Sequence, residues 1–479
     1  MEINIFRPAL AGAAMLTMGL LASAETPVLT LEQCLGVALT ESPTVRVADM
    51  EVQRMDYSRR ETIGQLLPSI DFSGSYSRML AKQVMYMNMD FGDFGGAAGG
   101  ENPDSPAPDA PAADEGESRS AGRDGIKMGL DNSYSMGFSA SVPLIAPQLW
   151  KSIGISKTQI LQSLEEARKS RQDLVNQVKN AYYALLLAHD SKKAIQESYD
   201  MAKLTHRMYS DQFEAGAASE YDVLRTSVAV KNVEPELLAA DVAIRQAKLQ
   251  LQVLMGVDSD FDFEPATTLS SYESTMYGTA LSLEADYSGN SDLRLLDINA
   301  DLLRRQVEVQ KLAFSPTLAL TANYNWTSMS NGSPFRNFRW NPYSTIGVSL
   351  SIPIFQGGQR YNRIKEAQIQ ADELRWQREN LERSIAMQAK VAIDNIRINV
   401  EQIASSAESV GEAERAHDIM ERSFRIGAAS YLDLRDSELS LTRARLTYYQ
   451  SIYDYLVANS NLELLLGNAP IETYQNTAL

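Results

Sequence analysis

Four stretches of the chain alternate apolar and small polar residues with a period of two. In the first, Ile70, Phe72, Gly74 and Tyr76 alternate with Ser69, Asp71, Ser73, Ser75 and Ser77. In the second, Tyr134, Met136, Phe138, Ala140, Val142 and Leu144 alternate with Ser133, Ser135, Gly137, Ser139 and Ser141. The third sets Leu318, Leu320, Ala322, Tyr324 and Trp326 against Thr317, Thr321, Asn323 and Asn325. The fourth sets Ile346, Val348, Leu350, Ile352 and Ile354 against Thr345, Gly347, Ser349 and Ser351. This period predicts strands with one dry and one wet face, over about 68–80, 132–145, 317–327 and 343–355. Each is long enough to cross a bilayer when tilted. A soluble β-sandwich usually carries charges on its wet face. These faces carry mostly Ser, Thr, Gly and Asn, which favours membrane strands.

Between the strand pairs the pattern changes to helix. From Pro147 to Gly216 there is no internal proline and one glycine, Gly154; from Gly358 to Gly427 there is again no proline, with Gly411 the internal glycine. Seventy residues at ~1.5 Å each predict helices on the order of 100 Å, too long for a compact domain. Ile153, Leu164, Val175 and Leu186 recur every eleven residues, as do Leu374, Ile385, Ile396 and Ala407. An eleven-residue repeat keeps packed helices nearly straight or slightly right-handed. A left-handed coiled-coil rod is the competing reading, and the many alanines on the apolar face favour close packing in a tube.

The chain repeats itself. Phe213-Glu214-Ala215-Gly216-Ala217-Ala218-Ser219-Glu220-Tyr221-Asp222 matches Phe424-Arg425-Ile426-Gly427-Ala428-Ala429-Ser430-Tyr431-Leu432-Asp433 at an offset of 211, which still holds where Leu254-Met255-Gly256 meets Leu465-Leu466-Gly467. Upstream, Val142-Pro143-Leu144 matches Ile352-Pro353-Ile354 at 210, and Leu67-Pro68-Ser69 matches Ser315-Pro316-Thr317 at 248. The first half therefore carries 38 extra residues between Pro68 and Pro143. Gly216 and Gly427 suit the left-handed residue that ends a helix, while Ser219 and Ser430 suit N-caps with Asp222 and Asp433 at the third helical position. The fold class that follows is mainly α with a membrane β-barrel. It consists of two tandem repeats, each of two transmembrane strands plus a long helical hairpin. The first repeat spans 25–256, with helices about 147–215 and 219–255. The second spans 291–467, with helices about 358–426 and 430–466. Residues 257–290 form an equatorial linker and 468–479 a C-terminal tail.

Composition narrows the function. A net charge of −17, from 44 Lys+Arg against 61 Asp+Glu, excludes the positive field that a nucleic-acid partner requires. Three isolated histidines, His189, His206 and His417, and one cysteine, Cys34, give no metal site and no internal disulfide. No nucleophile–base pair or cofactor motif is present, so the chain reads as a non-enzyme with no cofactor. Arg7 before the apolar run Ala9–Leu21, closing on Ala22-Ser23-Ala24, is a secretory signal over 1–24. No later stretch is apolar enough for a transmembrane helix. Cys34 reads as a buried thiol on a short helix, Leu31 to Leu39. The excess residues fall in 83–131, an acidic stretch rich in Gly and Pro that reads as an extracellular loop. A shorter loop, 328–340, carries Phe335, Phe338 and Trp340 with Arg336 and Arg339, a pattern suited to a lipid interface.

Taken together, the mature chain resembles the TolC-type outer-membrane efflux proteins, the outer membrane factors. The resemblance rests on the doubled plan, the two Gly-Ala-Ala-Ser turns, the Leu67-Pro68 and Ile352-Pro353 boundaries, and Leu31-x-x-x-Leu35-x-x-Ala38-Leu39 followed by Ser42-Pro43. It implies a homotrimer in the outer membrane of a Gram-negative bacterium, with a 12-stranded barrel continued by an α-helical periplasmic tunnel. Four strands cannot close a barrel and an open edge in lipid is unstable, so the chain must assemble; geometry alone allows a dimer or a trimer, and the resemblance chooses three. The implied partners are a periplasmic adaptor, an inner-membrane pump of RND or ABC type, and outer-membrane lipid. The implied function is a passive duct for small-molecule efflux, with type I protein secretion and a structural coiled-coil envelope protein as alternatives. The hairpin tips, Gly216, Ala217, Ala218, Ser219 and Asp222 with Gly427, Ala428, Ala429 and Ser430, are the implied adaptor contact. Asp433 and Asp436 match a ring of aspartates lining the periplasmic gate, although capping equally explains Asp433. The repeat-mate of Asp436 is Arg225, which is expected to pair with an acidic neighbour in the closed mouth. In some members a tyrosine and an arginine near the turn lock that mouth; Phe424 and Ala429 stand there in this chain.

Overall fold

A computed structural model describes residues 27–85, 126–273, 286–334, 339–468 and 471; the side chains of 83–85 and 126–128 lie outside the description. The signal segment 1–24, most of the 83–131 loop, part of the 257–290 linker, Phe335 and Phe338, and nearly all of the tail fall outside these residues. The chain forms two compact units. One contains Met1–Arg60, Ser152–Gln310 and Tyr361–Leu479, and the other contains Glu61–Lys151 and Lys311–Arg360.

The elements of the first unit are mostly helices. They are strand β1 (Val28–Leu29) and helices α1 (Leu31–Glu41), α2 (Pro43–Gly64), α3 (Pro147–Glu214), α4 (Glu220–Met255), α5 (Ser291–Lys311), α6 (Gln359–Arg425) and α7 (Tyr431–Leu466). The ends of α2, α3, α5 and α6 run toward or into the other unit. The second unit holds β2 (Ser69–Arg78), β3 (Gln83–Met85), β4 (Ile126–Met128) and β5 (Asn132–Ile145). Strand β6 (Glu264–Pro265) returns to the helical unit, and β7 (Thr317–Ser330) and β8 (Asn341–Ser351) complete the sheet. With α3 at 68 residues and α6 at 67, the two long helices have the length their glycine- and proline-poor sequences require.

The sheet has the order β2-β5-β7-β8, every neighbouring pair antiparallel. Its register sets Phe72 opposite Phe138 and Phe138 opposite Tyr324, so the apolar positions of adjacent strands share one face. There Phe72 and Phe138 lie 5.0 Å apart by ring centroid, and Tyr324 and Trp326 lie 4.5 Å apart. On the other face Ser75 and Ser135 share a 2.8 Å hydroxyl hydrogen bond. This apolar face is bare: Ile346 is 81% exposed, and Ile70, Val348 and Leu350 are also exposed. Strand β8 stops at Ser351, ahead of Pro353, which has no N–H to donate to a ladder. Between β5 and β7 the register shifts at Pro143, for the same reason.

In the helical unit the core gathers around the middle of α3. Tyr182, Leu185 and Leu186 pack there with Leu35 of α1, Leu251 and Met255 of α4, Ile396 of α6, Ile452 of α7, and Phe263 and Leu269 of the linker. Strand β1 pairs in parallel with β6, pinning the N-terminus to the linker. The eleven-residue stripe is buried at Val175, Leu186, Ile385 and Ile396, but Leu164 is exposed. Cys34 on α1 is fully enclosed, and burial pushes its thiol up to about 12. It is expected to resist maleimide in native protein and to react fully in denaturant; native-state labelling at the unfolded rate would contradict its burial.

Two returning helices end against the starts of other helices. Gly256, with φ +71°, closes α4 so tightly against the start of α2 that an added Cβ would lie 2.9 Å from Glu41 O and 3.0 Å from Pro43 Cδ. Gly467, also φ +71°, closes α7 against Gly289 and Asn290. Asn290 splices this second joint. Its side-chain oxygen accepts from the N–H groups of Asp292 (2.9 Å) and Leu293 (3.0 Å), while its Nδ2 donates to Leu465 O at 2.8 Å. From α3, Arg168 and Gln172 both donate to Gly467 O, at 3.1 and 3.0 Å.

Candidate functional site at the hairpin turns

The two tips are built alike because the same short sequence forms each. Gly216 (φ +74°) and Gly427 (φ +77°) adopt the left-handed conformation that an L side chain resists. The residue after each glycine closes the turn, Ala217 N–H donating to Gln212 O at 2.7 Å and Ala428 N–H to Ser423 O at 2.8 Å. This is a helix C-terminal motif that satisfies otherwise orphaned carbonyls. Each return helix then starts with a reciprocal cap. Asp222 N–H donates to Ser219 Oγ at 3.2 Å, and Ser219 N–H returns a bond to Asp222 Oδ2 at 3.3 Å. Asp433 N–H likewise donates to Ser430 Oγ at 3.3 Å, and Ser430 N–H to Asp433 Oδ2 at 3.0 Å. A glycine turn followed by Ser-x-x-Asp thus dictates a tight, self-capped hairpin.

The capping bonds act on the acids. The Ser430 hydroxyl and N–H hold the exposed Asp433 carboxyl below the usual carboxylate range. Asp436, one turn further along α7, is exposed and makes no capping bond. Ala217, Ala428 and the glycines are exposed at the turns, beside the exposed apolar side chains of Tyr221, Leu224, Ile426 and Leu432.

Arg225 departs from expectation. Its guanidinium carbon stands 4.6 Å from the centroid of the Tyr431 ring rather than beside a carboxylate, because Asp222 and Asp433 are committed to their own caps. Tyr209 of α3 meets Tyr431 edge-on at 5.8 Å and Phe424 at 6.4 Å, so an aromatic and cation–π cluster joins the tips of the two hairpins. Phe424, at the position expected to lack a lock, is part of this cluster.

Two features here were not visible to sequence reasoning. Glu438 of α7 is buried, its carboxyl pushed up by that burial and partly held down by Arg435, whose Nη1 donates to it at 3.3 Å. Its i, i+3 spacing from Arg435 was the available signal. His206 and His417, an offset of 211 apart, each meet a hydroxyl twenty residues on through Nδ1: Thr226 at 3.0 Å and Ser437 at 3.2 Å. Both hydroxyls donate their hydrogen to backbone carbonyls, Thr226 to Asp222 O and Ser437 to Leu434 O. Each imidazole Nδ1 is therefore the donor, and each His staples its hairpin's two helices.

The profile of the family described as "Outer membrane efflux protein" matches residues 34–257 and 287–468, the two repeats. The chain is 25% identical over 370 residues to "Outer membrane protein TolC" of Escherichia coli (strain K12), covering 71% of this chain and 74% of that one. It is 24% identical to "Alkaline protease secretion protein AprF" of Pseudomonas aeruginosa, covering 70% of each. Among solved structures, the Campylobacter jejuni CmeC outer membrane channel superposes with a TM-score of 0.67 at 17% identity, over 94% of this chain and 89% of that one.

Proposed function

Because the chain belongs to the outer membrane efflux protein family, we propose that it works as the outer-membrane duct of a three-part export system. The single observation that carries this reading is the sheet. Four long antiparallel strands expose an apolar face to their surroundings and leave β2 and β8 as unpaired edges. Exposed apolar strands suit lipid, and free edges in lipid must be paired by another copy. Three chains supply twelve strands, so the assembly is a homotrimer. Helix α4 supports it: Tyr221, Val228, Val242 and Leu249 are exposed at multiples of seven, with Leu224 and Leu238 between them, the pattern of a helix that packs against another.

The channel is passive, and its energy comes from an inner-membrane pump of RND or ABC type joined to it by a periplasmic adaptor. The hairpin tips, with Gly216-Ala217-Ala218-Ser219 and Gly427-Ala428-Ala429-Ser430, are the adaptor contact. Small molecules are the cargo. The likeness to a protease secretion protein favours protein export as the second reading. The signal segment is removed on export, and 83–131 faces the cell exterior. In mild detergent the protein should run with the mass of three mature chains and should conduct ions in planar bilayers. Loss of the gene should raise dye accumulation in the cell; failure of a secreted protein to appear outside, with dye unchanged, would select the second reading. A stable, non-conducting monomer would overturn both.

Asp433 and Asp436 from three chains form the periplasmic gate, placing up to six carboxylates around one opening. Such a ring attracts cations by several kT. Asp436→Ala is expected to weaken block by polyvalent cations added from the periplasmic side and to lower cation selectivity. Asp222→Ala should leave both unchanged while lowering tip stability by about 1 kcal/mol, through the lost cap. Single-channel recording with the blocker on each side separates the two, and an unaltered Asp436→Ala channel removes that residue from the gate.

A further inference from the structure

In a ring of three chains, first hairpins (α3–α4) and second hairpins (α6–α7) alternate, so each has one neighbour from its own chain and one from the next. This rests on the homotrimeric duct proposed above. The hairpins are local copies, with matching turn bonds, caps and His–hydroxyl staples. A rotation carrying a first hairpin onto a second therefore carries each within-chain contact onto its between-chain counterpart. The residue numbers follow by adding 211 on one side and subtracting it on the other.

Within the chain, two charged contacts tie the hairpins together. Arg225 stacks on Tyr431, and Arg445 of α7 forms an ion pair with Glu197 of α3 while also holding Glu414 at 2.9 Å. At the chain boundary Arg225 is replaced by Asp436 and Tyr431 by Glu220. Glu197 is replaced there by Glu408 and Arg445 by Glu234. Each attractive contact becomes a pair of carboxylates. Glu220, Glu234, Glu408 and Asp436 are all exposed in the chain. The apolar contact of Tyr209 with Phe424 keeps its character, as Met420 with Phe213.

We propose that the mouth opens along the boundaries between chains. The two hairpins of one chain move as a single body, held by Arg225 and Arg445. Repulsion between Asp436 and the next chain's Glu220, and between Glu408 and the next chain's Glu234, keeps each boundary ready to part. The symmetric arrangement then lets three boundaries open together.

The test uses the full-length protein in planar bilayers. An exposed like-charge pair is worth a factor of about two, so turning repulsion into attraction is worth about fourfold at each boundary. Glu234→Arg alone and Glu408→Arg alone should each lower the open fraction by more than about tenfold, three boundaries acting together. The double variant restores like charges and should return to within about twofold of the unmodified channel. Thiol cross-linking of Glu220→Cys with Asp436→Cys should give species of two and three chains, Cys34 being buried. Single reversals that leave opening unchanged, a double variant no better than the singles, or cross-links confined to one chain would overturn the boundary seam. In each of those cases an intact, conducting parent channel keeps the duct. A parent protein that never conducts overturns the duct and the seam with it.

Discussion

Gly467→Ala is expected to deplete the folded protein from the outer membrane. The residue sits at φ +71°, and a Cβ there would lie 2.0 Å from Gly289 O and 2.3 Å from its carbonyl carbon. Both obstacles are backbone atoms, so no rotamer change relieves the clash; the α5–α7 joint has to part. Parting also strands Arg168 and Gln172, whose side chains donate to Gly467 O. Backbone strain of ~1–3 kcal/mol for a non-glycine residue in this conformation, added to the overpacking and the lost buried bonds, comes to on the order of 5 kcal/mol. Gly216→Ala is the control. Its φ is also positive, but nothing lies within 4 Å of the new Cβ, so it should lower stability by only about 1 kcal/mol. Thermal melting of purified protein and yield in the outer-membrane fraction check the contrast. Equal losses for the two variants would show that packing at the joint is irrelevant.

Val348→Arg is expected to block membrane insertion where Ser349→Arg does not. The two residues are adjacent on β8 and point to opposite faces; Val348 pairs across to Leu320 on the apolar face, while Ser349 faces away with Ala319 and Ser351. An arginine on the lipid side near the bilayer midplane costs about 2–4 kcal/mol per chain. Every trimer would carry three. On the polar face the same side chain stays in water. Fractionation of cells expressing each variant, or folding into lipid vesicles, reads the difference. Equal insertion of both variants would mean that the bare apolar face is not a lipid face.

The strands and hairpins were legible because each is specified locally. A period of two marks β2, β5, β7 and β8, and glycine followed by Ser-x-x-Asp marks both turns. The family, the outer-membrane location and the role as a transport duct rather than an enzyme follow from the same repeated blocks, and the match over both repeats bears them out. Helices α2 and α5 went unread for a physical reason. Val45 is the sole described residue of α2 that is buried, and its apolar Val47, Met50 and Tyr57 face outward, so no buried stripe marks it. Asn290 before Ser291-Asp292 was a cap signal for α5. The joints were beyond any local pattern, since Gly289 and Gly467 meet across 178 residues of sequence. At the tips, the caps of Asp222 and Asp433 could be foreseen, whereas the stacking of Arg225 on Tyr431 depends on how two hairpins meet.

The splice at Asn290 has a mechanical meaning. Helix α7 ends and α5 begins at one place, the carbonyl end of the first against the amide end of the second, so the two macrodipoles align head to tail without a shared peptide. In a covalent helix, a twist applied at one end travels through every turn, since each turn is bonded to the next. Here torque from the hairpin end of α7 reaches Gly467 and meets a side-chain amide instead of a backbone. Rotation of one segment relative to the other breaks the bond from Asn290 Nδ2 to Leu465 O and no backbone hydrogen bond in either helix. The joint transmits compression along the axis and slips under torsion, as a thrust bearing does.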